Sequence, residues 1–133
     1  MALWRIKAYH RADDSCPVQD WYATQDETVQ ALFDATLATL TATVDWTDTK
    51  AFKVLTKKHA GLGEIRFKIE EKGQPVRRFR PVGIWPPVAD REFILLVGCE
   101  KTNQVYIPPN AFALALELKG QREAGIGAVH DYV

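Results

Sequence analysis

Residues 61–101 read GLGEIRFKIEEKGQPVRRFRPVGIWPPVADREFILLVGCEK, and three strand-like runs follow one another inside this stretch. Glu64 to Glu70 alternates Glu, Ile, Arg, Phe, Lys, Ile, Glu, so that Ile65, Phe67 and Ile69 point one way and Arg66 and Lys68 the other. Glu71-Lys72-Gly73-Gln74 predicts a hairpin connection, and Val76 to Val82 returns as the next strand. Pro81 cannot donate a ladder hydrogen bond, so this strand ends or bulges near it, and Trp85-Pro86-Pro87 forms a loop. Trp85 is either an exposed loop tip or a ring tucked under the sheet. Phe93 to Val97 is apolar on both faces, as a central strand is. The stretch therefore predicts a three-strand antiparallel meander.

Working outward, Leu3 to Tyr9 alternates with Trp4, Ile6 and Ala8 on one side and Arg5 and Lys7 on the other, which predicts strand one. Pro17 opens a short helix carrying Val18, Trp21 and Tyr22. Thr24-Gln25-Asp26-Glu27 fits a capping box for a longer helix, with Thr24 as the cap and Val29, Leu32, Phe33, Leu37 and Leu40 as its core stripe. After Pro108-Pro109-Asn110, the segment Phe112 to Lys119 predicts a last helix, stopped by Gly120. The expectation is a small α+β domain over 1–133: N-terminal strand, two helices, a meander completing the sheet, and a C-terminal helix. Its core spans about 3–119, and residues 120–133 are a tail without a strong pattern.

The formal charge sums to zero, but its distribution is uneven. Residues 1–49 hold three Lys/Arg against eight Asp/Glu, residues 50–80 ten against three, and residues 81–133 four against six. The longest apolar run, Phe93 to Cys99, is far short of the roughly 20 residues of a membrane helix, and the charged N-terminus does not read as a signal peptide. A cytoplasmic protein without membrane contact is the expectation. Cys16 and Cys99 are 83 positions apart with no second Cys or His at ligand spacing, so both are expected as reduced thiols, with no metal and no cofactor. His10 and His130, near the termini, are assigned no role. His59, beside Lys57 and Lys58, is read as either a surface residue or an acid/base group.

The Gly61-Leu62-Gly63-Glu64-Ile65-Arg66 segment resembles the "GLYELR" strand of the RelE/ParE superfamily of type II toxins, within its HigB-like and phage-derived branch. Arg78-Phe79-Arg80 is similar to the next strand of that branch, and Phe93 to Lys101 to its apolar strand ending in glycine and basic residues. The resemblance runs from Trp21 to about Lys119. It implies a cognate antitoxin as partner, and a ribosome-dependent endoribonuclease that cuts mRNA by attack of a ribose 2′-OH on the adjacent phosphate. In that chemistry a metal-free cluster of basic and aromatic side chains supplies base, acid and charge stabilisation. Carried over, Arg66, Arg78, Arg80, Lys101 and Tyr106 are the catalytic candidates, with Arg78 and Arg80 as alternatives for one position. Lys57, Lys58, Lys68 and Arg77 are the RNA-binding candidates. Tyr106 is read equally as an anchor for the last helix. Glu64 and Glu100 lie beside these cations, and the pI of about 6.8 is low for a nucleic-acid enzyme. The residues therefore leave open a non-nucleolytic relative, or a phage-derived protein, that acts by protein contact.

Overall fold

The computed structural model describes residues 3–132; Met1, Ala2 and Val133 of the expected domain lie outside them. Among the described residues, three α-helices pack on ten short strands that form two sheets. The chain opens with β1 (Arg5–His10), α1 (Pro17–Ala23) and α2 (Glu27–Thr41), as the sequence predicts. Pro17 occupies the first turn of α1, where its missing N–H costs nothing. The cap of α2 is Asp26 and not Thr24: the Asp26 carboxylate accepts from the Val29 amide at 3.0 Å, while the Thr24 hydroxyl donates back to the Trp21 carbonyl. An ionised cap beside the positive helix end outcompetes a threonine two residues earlier.

The predicted meander is present, but its first two strands are interrupted and its third is followed, after a break, by a further short strand. The first becomes β3 (Leu62–Ile65) and β4 (Phe67–Ile69), separated at Arg66. The second becomes β5 (Arg77–Phe79) and β6 (Val82–Ile84), separated at Arg80-Pro81. The third is β7 (Glu92–Val97), followed after Gly98-Cys99 by β8 (Glu100–Thr102). Adding β2 (Phe52–Val54), β9 (Val105–Ile107) and β10 (Ala128–Asp131), the first sheet has the order β10-β1-β7-β6-β3-β2 and the second β4-β5-β8-β9. One three-strand ribbon thus turns a corner and serves both sheets. The corner is held by the Arg80 amide donating to the Cys99 carbonyl, and by the Ile65 amide donating to the Pro81 carbonyl, both at 2.8 Å. β1 runs parallel to β7, and the other pairings are antiparallel.

β7 lies inside the first sheet, as its two-sided apolarity predicts. Phe93 and Leu95 join the core under α1 and α2, together with Ile6, Phe33, Leu37 and Trp46. Ile94 and Leu96 face the other way, into a second core under α3 (Ala111–Glu123) with Ala115 and Leu118. Trp85 is tucked in, stacked on Trp4 at a centroid distance of 5.8 Å and tilted against Phe52 at 4.7 Å.

Two C-terminal expectations are corrected. Gly120 does not stop α3, which continues to Glu123. The stop is Gly125, at φ +78°, whose amide donates to the Arg122 carbonyl while the Ile126 amide donates to Gln121. This is the paired-bond ending that a left-handed glycine permits. The expected tail then forms β10, which extends the first sheet by pairing antiparallel with β1 over Lys7–Asp131, Ala8–His130, Tyr9–Val129 and His10–Ala128.

Candidate functional site: the cationic face of the second sheet

Helix α2 covers one face of the second sheet, where Val29 packs with Ile69 and Phe79. Helix α3 covers the opposite side of the first sheet, against β6 and β7, and reaches the second sheet where its Phe112 meets Tyr106 of β9, while Lys68 of β4 and Arg78 of β5 stand exposed on that face. Strand register decides what stands there. Lys68 pairs with Arg78, Arg78 with Lys101, and Lys101 with Tyr106, so these four residues form one row across β4, β5, β8 and β9. Arg66 and Arg80, two residues before Lys68 and two after Arg78, stand behind the row at the corner. Two shallow cavities flank the arginines. One, of about 370 Å³, is lined by Lys50, Arg66, Lys68, Arg78 and Arg80; the other, of about 450 Å³, by Arg78, Arg80, Lys101 and Asn103.

The corner hides the most consequential side chain. Glu64 is 2 % exposed, and its Oε1 accepts from Arg66 Nε at 3.0 Å and from the same guanidinium's terminal nitrogen at 2.8 Å, with Arg80 Nε 3.6 Å away. Its Oε2 has no hydrogen-bond partner, the one buried side-chain polar atom so placed among the described residues. Burial draws the Arg80 guanidinium down from its ordinary value, with Glu64 pulling the other way. Glu64 therefore orients Arg66 and tempers the corner's charge instead of repelling an anion at the surface.

Burial, and then the Glu64 charge, raises the Tyr106 phenol above its ordinary value, so Tyr106 is a neutral hydrogen-bond donor. Its ring sits edge-on to Phe112 at 4.7 Å, and Lys101 Nζ stands 5.4 Å from the ring centroid. Tyr106 thus anchors the last helix and also stands at the end of the cationic row. Cys99 is pushed up to about 12 by burial first and Glu64 second, and its thiol donates to the Arg80 carbonyl at 3.0 Å. It is a structural thiol.

The candidates from sequence divide by strand parity. Arg66, Lys68, Arg78, Arg80, Lys101 and Tyr106 come together on the open face. Arg77 does not: it turns to the α2 side, bonded to Glu100 at 2.9 Å with Asp26 at 3.7 Å, and its guanidinium lies over Phe79. Burial works to raise Glu100, but hydrogen bonds from Arg77 and Thr102 outweigh it and hold the carboxyl below its ordinary value. Glu100 is thus turned away from the row and satisfied. Lys57 and Lys58 lie outside the row, in a 3-10 turn with His59, whose ring stacks on Phe112 at 4.4 Å. Two features go beyond the sequence expectation. Glu64, expected beside the cations, is buried in the corner as the carboxylate partner of Arg66. Asn103 and Gln104, at φ +50° and +65°, make the β8–β9 turn without the Asn-Gly signature.

Comparison with protein-family models, with curated proteins and with solved structures finds no match to this chain.

Proposed function

We propose that the chain is a RelE/ParE-like toxin that binds RNA on the open face of its second sheet and cuts mRNA on the translating ribosome. The observation that carries this reading is the register row Lys68, Arg78, Lys101 and Tyr106, with Arg66 and Arg80 behind it. Successive cations across a sheet match the charge of a phosphate backbone, and Tyr106 at the end of the row offers both a ring to stack on a base and a proton donor. In the reaction the 2′ oxygen attacks phosphorus and the bond to the 5′ oxygen breaks. The hydroxyl proton passes to a base and the departing oxygen takes one up, leaving a 2′,3′-cyclic phosphate and a 5′-hydroxyl. Arg78 and Lys101 stabilise the charge that gathers on the phosphate oxygens, and the neutral Tyr106 is suited to supply a proton. The order of elements supports the same family: a strand, two helices and a meander, with the first strand parallel to the last meander strand. A cognate antitoxin fits as an acidic segment laid over the row.

One observation favours a second reading, protein contact without cleavage: two of the arginines are drawn onto Glu64 and away from a ligand. Primer extension on mRNA in a reconstituted translation reaction separates the two. The comparison is between the natural chain and a Lys68→Ala, Arg78→Ala, Lys101→Ala variant, which leaves the Glu64 pairing intact. Cuts that disappear in the variant support the nuclease. No cuts with either chain, alongside retained capture of a protein partner by the natural chain alone, supports contact.

A further inference from the structure

We propose that His10, Asp14 and His130 form a binding site for a zinc-class divalent ion that staples the C-terminal strand onto β1. Their ligand atoms lie within 4.8 Å of one another, and among the described residues no other group of three His, Cys, Asp or Glu side chains does so. Three separate features of the chain converge to make it. In the β1–β10 pair Ala8 stands opposite His130, so His10, two residues on, shares that face with His130, and their rings meet edge to face at 4.6 Å. The loop after β1 is closed by Arg11 and Ser15, each bonded across it, and returns Asp14 over His10. His10 Nδ1 is then 3.3 Å from the Asp14 carboxylate.

Two imidazoles and one carboxylate select a borderline transition ion over magnesium or calcium, which take oxygen ligands. Zinc ligands at about 2.0–2.2 Å from the metal stand about 3.3 Å apart in a tetrahedron, so closure needs side-chain movement of about an ångström. The three sites are at least partly open to solvent, which allows entry and leaves the fourth position to water. None of them lines the cationic cavities, so the ion's role is to fasten β10. Residues 10 and 130 are too far apart in sequence for any spacing motif to reveal them.

The test uses the full chain stripped with a chelator, titrated with zinc by calorimetry and with cobalt by visible absorption, beside a His10→Gln, His130→Gln variant. The expected result is one zinc per chain, at least tenfold weaker binding in the variant, a melting temperature raised by roughly 5 °C in the natural chain alone, and slower amide exchange at 128–131. Because His130 is exposed and His10 partly so, the variant should melt close to the natural chain without metal, which separates lost binding from lost folding. No uptake at about 100 µM zinc, or equal uptake by both chains, overturns the site.

Discussion

Glu64 is the one buried charged residue among those described. A carboxylate at 2 % exposure, bonded to Arg66 and near Arg80, contributes little as a pair, yet losing one partner strands the others. Glu64→Gln should cost about 3 kcal/mol, read as a lower urea midpoint, because Arg80 keeps its charge in a half-closed corner. Adding Arg80→Met should recover part of that loss, since the uncompensated charge goes with it. Cys99 sets a pH dependence with a definite sign. Its folded value is pushed up to about 12 from the ordinary 9.0, so the fold holds a proton that the unfolded chain releases. This contribution is complete below pH 9 and is lost progressively as pH rises from about 9 through 12. Urea midpoints at pH 8 and 10.5 should show that Cys99→Ala loses less stability over that interval than the natural chain, by on the order of 1–2 kcal/mol.

At the scale of elements, the long periodic segments were legible and the short ones were not. The α2 stripe of Val29, Phe33, Leu37 and Leu40 is buried as its spacing requires, and β7 is central as its apolarity requires. The strands β2, β8 and β9, of three residues each, and β10, of four, are too short to display alternation, and their existence depends on a neighbour that supplies hydrogen bonds. The corner was half visible, through Pro81 alone. Strand parity over residues 77–80 puts Arg78 and Arg80 on one face and sends Arg77 to the other. A glycine near a helix end such as Gly120 has the look of a stop, whereas the left-handed residue that ends α3 is Gly125. The space around Gly120 is open where a side chain would begin, and it sits within the helix. Gly120→Ala should therefore stabilise the chain by about 1 kcal/mol, seen as a raised melting temperature.

For the molecule as a whole, a net charge of zero conceals a working asymmetry. The acidic first third forms β1, α1 and α2, and the basic segment from residue 50 to 80 supplies β4 and β5, which α3 leaves open. Among the described residues no helix is long and apolar enough to cross a membrane. If the row is the RNA surface, removing Lys68, Arg78 and Lys101 together should weaken binding of single-stranded RNA. It should also make the plot of log affinity against log salt shallower by about 2, as three lost phosphate contacts require. Fluorescence anisotropy across a salt series measures both effects. The most direct test of the account is the chemistry of the RNA ends left when the chain meets translating ribosomes, read by mass spectrometry of the fragments. The account predicts 2′,3′-cyclic phosphate and 5′-hydroxyl ends with the natural chain and none with the triple variant. Intact mRNA with both chains, or 3′-hydroxyl and 5′-phosphate ends, contradicts it.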